Sequence, residues 1–185
     1  PARLQLFGLS AAEAMASRGV VLGMLKPIMF MPSFITCSLS MAAAPELTKR
    51  QTDGQPLCTL STRIILASLA IGAAASAGVW LFAPLIANFF FRQAALLPLL
   101  RGSCALIPII ATTHVCGGIM NALGLQSASQ KISLASGRRG VLTVQFLVPV
   151  IGLWGAVVSL GAVQGLPLLL SLLVLRRSGC IARSR

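Results

Sequence analysis

The sequence predicts an all-α polytopic transmembrane helix bundle of about five spanning helices, and three observations carry that expectation. Only 10% of the residues are charged, against roughly 25% in ordinary soluble domains, while 56% are hydrophobic and the mean hydropathy is +0.89. Several apolar runs exceed the roughly 20 residues that cross a hydrocarbon core. The basic residues gather in the gaps between those runs.

Taken in order, the chain reads as one partial transmembrane domain over 1–185, with helices at roughly 10–44, 60–91, 97–124, 132–151 and 155–176. Ser10-Ala-Ala-Glu13 has the spacing of a capping box, which opens the first helix. Between Val20 and Ala44 its only charge is Lys26, and Pro27 and Pro32 remove backbone donors and bend it. Pro45 and the polar stretch Glu46 to Gln55 read as the first loop. The second run, Ile64 to Phe91, is uncharged, bends at Pro84, and ends on Phe89, Phe90 and Phe91 beside Arg92. The third follows Arg101 to about Leu125, after which Gln126 to Arg139 reads as a polar loop. The last uncharged run, Gly140 to Leu175, would overshoot a core of about 30 Å if straight. It therefore turns near Pro149 and Gly152-Leu-Trp-Gly155. The small-xxx-small pairs Gly72/Ser76, Ala74/Gly78, Gly118/Ala122 and Gly161/Gly165 mark places for close helix approach.

Charge counting orients such a bundle. One set of loops holds Lys49, Arg50, Arg63, Lys131, Arg138, Arg139, Arg176, Arg177, Arg183 and Arg185; the other holds Arg3, Arg18, Arg92 and Arg101. The positive-inside bias then puts the amino end outside and the carboxyl end in the cytoplasm of a multi-pass cell-membrane protein. The net charge of +12 reflects those loops and does not point to nucleic acid: there is no Tyr, aromatics are 5%, and the cations line no single face.

The catalytic inventory is thin. There is one histidine, the three acids Glu13, Glu46 and Asp53 fall outside the apolar runs, and the five cysteines form no CxxC pair. We expect no enzyme, cofactor or metal site from this segment. Lys26 is the residue singled out for an anionic substrate group, because a cation inside a span faces a protein interior or an aqueous path. Its alternative is snorkelling to the interface. Arg101, at the mouth of the third run, is the second substrate candidate, with an anchoring role as its alternative. His114, beside Thr112 and Thr113, and Asn121 are candidates for polar coupling or for hydrogen bonds between helices.

Several stretches resemble the multidrug/oligosaccharidyl-lipid/polysaccharide flippase superfamily, in its stage V sporulation protein B and polysaccharide biosynthesis protein branch. They are Pro32-Ser-Phe-Ile-Thr-Cys-Ser-Leu-Ser-Met-Ala-Ala-Ala-Pro45-Glu-Leu, Gly8-Leu-Ser-Ala-Ala-Glu-Ala14, Gly19 through Pro27, Gly118-Ile-Met-Asn-Ala-Leu-Gly124 and Gly152-Leu-Trp-Gly-Ala156. Arg18-Gly19 departs from the family's tyrosine-glycine pair. The resemblance implies the carboxyl lobe of a two-lobed transporter of twelve to fourteen helices, whose amino-terminal lobe lies upstream of Pro1. It implies a flippase that moves a lipid-linked anionic saccharide across the bilayer by alternating access. The alternatives are a drug or cation exporter of the same superfamily and a non-transporting scaffold in spore or envelope assembly.

Overall fold

The computed structural model describes residues 10, 12, 15, 16, 19–93 and 96–180, all but the turns and short connections of which are helical. Glu13, with the capping box it would close, lies outside the described residues, as do Arg3, Arg18, Arg183 and Arg185. Among the described residues the long segments are α1 (Val20–Thr52), α2 (Cys58–Phe90), α3 (Leu96–Ser103), α4 (Leu106–Ala122), α5 (Gln126–Ile151) and α6 (Leu153–Arg177), with no strand. Helices α1, α2 and α6 are long and apolar enough to cross a membrane, and α3 with α4 makes a fourth such span if the bent pair crosses as one.

Helix α4 is the hub. It packs against α1, α2 and α6, and its Ile107, Ile110, Ala111, Val115, Cys116, Ile119 and Met120 are fully buried. One apolar cluster joins Ile107 and Ile110 to Leu25, Met29, Ala83, Leu96 and Leu100. A second joins Val115, Ile119 and Met120 to Leu47, Ile64, Ile132 and Leu175. Much of the remaining apolar surface faces outward: only 17% of the most apolar stretch of α2 is buried, and Trp80, Leu81, Phe82, Leu85, Phe89 and Phe90 are exposed. In water that distribution would be untenable; against lipid tails it is the expected surface.

Prolines shape the helices, though not all where the sequence suggested. Pro27 follows a π-helical turn at Val20–Leu25, and Pro84 precedes another at Ile86–Phe90. Pro32 sits within unbroken α-helix, as does Pro45. The helix therefore continues beyond Pro45 to Thr52, through residues expected to be loop. Glu46 accepts from Arg50 one turn on, at 2.7 Å, and Lys49 and Arg50 lie favourably near the negative end of the helix dipole. A bend of 52° lies between α3 and α4. Pro108 has no N–H to give the Cys104 carbonyl, so the α-helical ladder breaks there and that carbonyl takes the Ile107 amide in a tighter turn, at 3.0 Å. Ser76 of α2 adds a second, 2.8 Å hydrogen bond to the same carbonyl.

A second difference concerns residues 126–139. The sequence pattern predicts a loop here and a helix from 132, yet α5 begins at Gln126, after a turn at Gly124 (φ 74°). Nothing between Gln126 and Gly140 forbids a helix except the weak breaker Gly137, and the hydroxyls of Ser133 and Ser136 bond back to the carbonyls of Ser129 and Ile132. Lys131, Arg138 and Arg139 are therefore helical residues rather than loop charges, as are Lys49, Arg50, Arg63, Arg176 and Arg177, so the described cations of that set lie on helices. Helix α5 then folds back on α6 through Gly152, whose φ of 61° suits glycine alone. Gly155 lies under the backbone of Leu147, and Gly140 under Val163, where a Cβ on either glycine would collide.

Candidate functional site

Between the two apolar clusters lies a polar layer built from small side chains. Thr36 of α1 donates to the Ala111 carbonyl of α4 at 3.4 Å, and Ser40 sits over Gly118, where a β-carbon would strike its hydroxyl. Thr113 of α4 reaches the Gln164 carbonyl of α6 at 3.1 Å. Hydroxyls suit this position because they can satisfy themselves on their own helix and still bond across to the next. Toward the ends of α1 and α4, Thr48 and Gln51 donate to the Ala122 and Leu123 carbonyls that the end of α4 leaves free.

The layer opens into a cleft of about 500 Å³ between α1, α4, α5 and α6. Its polar lining comes from Ser40, Thr113, His114, Asn121, Ser129, Ser133, Ser136, Gln164 and Ser171. Two features beside the cleft leave hydrogen-bonding capacity unused. His114 has a buried Nδ1 without a partner. On α6, Pro167 withholds the amide that would bond the Val163 carbonyl, and both residues line the cleft.

A second cavity, of about 1000 Å³, continues the first through Asn121, Ser129, Ser133 and Gly137, and adds Gln126, Gln130 and Arg138. The two form one polar path along the face of α5, widening toward the end of the bundle where α4 stops. No carboxylate among the described residues lines either part. Among the described residues no three His, Cys, Asp or Glu side chains come together as metal ligands.

The four candidates singled out in the sequence separate here. His114 and Asn121 line the cleft. Lys26 and Arg101 do not. Lys26 is exposed, with its Nζ 5.6 Å from the centre of the Phe30 ring, and Phe30 in turn lies 5.8 Å from the His114 ring. Phe30 thus stands between Lys26 and His114. Arg101 is exposed and lies over Trp80 of α2, 5.2 Å from the ring, in the manner of an interfacial anchor. Sequence reasoning missed Ser129, Ser133, Ser136, Arg138 and Gln164. The three serines recur at helical spacing, a signal that reading 126–139 as loop concealed.

No family model, curated protein or solved structure matches the chain. The fold and the exposed apolar helices define an all-α bundle compatible with a membrane protein.

Proposed function

We propose that the chain is a helical lobe of a membrane transporter, a flippase that moves the anionic headgroup of a lipid-linked saccharide across the cell membrane while the lipid tail stays in the bilayer. One observation supports this reading: an open cleft lined by hydroxyl and amide side chains runs along α5 in a bundle whose α1, α2 and α6 expose apolar surface. Its 500 Å³ falls in the range of roughly 300 to 1,000 Å³ typical of small-molecule sites. Hydroxyl and amide groups on helices suit a sugar, which asks for many weak donors and acceptors.

In this mechanism the cleft is half of a central cavity completed by a second lobe, and rocking of the two lobes exposes it to one side and then the other. Phe30 closes the path beyond His114. Opening in the other direction would move Phe30 aside and admit the headgroup toward Lys26. Neither an enzyme step nor a cofactor enters the cycle. The orientation we propose has the start of α1 outside and the end of α6 in the cytoplasm, in keeping with Lys49, Arg50, Arg176 and Arg177 at one end of the bundle.

The test is a flipping assay on the full-length protein, this lobe together with the second, in liposomes carrying a fluorescent short-chain polyisoprenyl-diphosphate disaccharide. The expected result is faster loss of the inner-leaflet pool to a membrane-impermeant quencher than in protein-free vesicles, slowed at least fivefold by Gln164→Leu together with Ser133→Leu. Rates equal to protein-free vesicles would sink the transporter reading and favour a scaffold.

A further inference from the structure

We infer that Arg138 is the anion-binding residue of the cleft, and that the group it takes is a phosphate or diphosphate. The inference names a ligand contact of the site proposed above and rests on that reading for its physiological sense.

Helices α5 and α6 are antiparallel, held together where Gly140 meets Val163 and Gly155 meets Leu147. That pairing puts Arg138 level with Gly165, about 18 Å from either end of α6 at a rise of about 1.5 Å per residue. Helix α6 is a candidate span, so Arg138 sits close to its mid-depth. Arg138 and Arg139 are both exposed at that depth, and of the two only Arg138 lines the cleft.

Arg138 does line a cavity, with Asn121, Gln126, Gln130, Ser129 and Ser133. Among the described residues no carboxylate lines that cavity. Of the described acids, Glu46 is bonded to Arg50 at 2.7 Å and Asp53 follows the end of α1. A guanidinium that shares a cavity with hydroxyl and amide groups, and has no carboxylate beside it among the described residues, selects an anionic ligand. Its planar fork presents paired N–H groups to two oxygens of a phosphate, and the neighbouring amides and hydroxyls add neutral hydrogen bonds around it. Arg139 supplies an internal control. It is one residue away, equally exposed, and lines neither part of the cleft.

Binding to the purified full chain in detergent separates the possibilities, with three probes: farnesyl diphosphate, inorganic pyrophosphate, and farnesol as the uncharged control. The expected result is saturable binding of farnesyl diphosphate but not farnesol, weakened at least tenfold by Arg138→Gln, about threefold by Arg138→Lys, and less than twofold by Arg139→Gln. Helical circular dichroism and elution volume show that each variant is folded. Competition by pyrophosphate assigns the site to phosphate from solution as well as from lipid; no competition assigns it to a lipid-borne headgroup. Equal affinity of wild type and Arg138→Gln would overturn the inference, as would failure of wild type to bind either diphosphate. Because binding is read without transport, diphosphate binding in a protein that moves no lipid keeps the anion site and removes the flippase, and flipping with an unaltered Arg138→Gln affinity does the reverse.

Discussion

Helices α2 and α5 both leave most of their surface uncovered, yet the uncovered surfaces differ in kind. On α2 it is apolar nearly throughout, from Leu66 and Leu69 to Leu81, Phe82 and Leu85. On α5 the half nearer Gly152 is likewise apolar, with Val141, Leu142, Phe146 and Val150 exposed, but the half from Gln126 to Arg139 exposes Ser127, Gln130, Lys131, Ser133, Arg138 and Arg139. Exposure by itself therefore says little about surroundings. A lipid-facing surface explains the first helix and half of the second; the polar half of α5 suits water or a polar partner instead.

The largest expected effect exploits this contrast with a single new charge. Ala74→Arg on the exposed face near the middle of α2 should disfavour insertion by about 2.5 to 3.5 kcal/mol, the penalty for arginine at a helix centre. Leu134→Arg, on the polar half of α5, should change insertion by less than about a third of that. A glycosylation-mapping insertion assay on both variants checks the difference. Equal penalties would mean that α5 faces lipid over its whole length.

The next effect is a reversal of sign between two glycines. A methyl group on Gly72 of α2 would lie 2.6 Å from the Pro108 Cα, a backbone atom held by the bend between α3 and α4, so the helices must part. Gly72→Ala should destabilise by about 1 to 3 kcal/mol through overpacking. Gly137 of α5 has open space on its β-carbon side, and Gly137→Ala should stabilise by about 0.5 to 1 kcal/mol through helix propensity. Thermal unfolding in detergent, followed by circular dichroism, reads both. A gain for Gly72→Ala would show that α2 does not rest on Pro108 as described.

These two positions also show how legible the molecule was. Gly72 and Ser76 stood out in the sequence as a small-xxx-small pair, and both sit at the α2–α4 contact, because close approach demands small residues whatever the partner helix. The spans α2 and α6 were legible because an uncharged run of that length has few alternatives. Residues 126–139 were not: Ser, Gln, Lys and Arg are compatible with both helix and loop, and only the groove of α6 decides between them. The extension of α1 past Pro45 escaped notice for the same reason, since a proline ends a helix only when no neighbouring structure holds the next turn. At the site, His114 and Asn121 were visible as rare polar residues in apolar surroundings. Lys26 and Arg101 drew attention through charge, yet each rests on an aromatic ring. Phe30, four residues after Lys26, was readable as its partner; Trp80 belongs to another helix and was not.

The smallest effect compares one serine from each of the two helices. Ser76 of α2 donates to the Cys104 carbonyl, which Pro108 has deprived of its α-helical amide, so the hydroxyl ties α2 to the bend between α3 and α4. Ser133 of α5 bonds only to Ser129 of its own helix, a carbonyl that already has an amide partner within α-helix. Ser76→Ala should therefore cost about 0.6 to 1.5 kcal/mol, the scale of one interhelical hydrogen bond in a membrane bundle. Ser133→Ala should stay within about 0.5 kcal/mol of wild type. The same alanine also separates stability from function, because Ser133 lines the cleft and Ser76 does not. Headgroup binding should weaken in Ser133→Ala while unfolding is unmoved, and hold in Ser76→Ala while unfolding comes earlier. If both serines changed stability and neither changed binding, the polar half of α5 would be a packing surface and not part of a path.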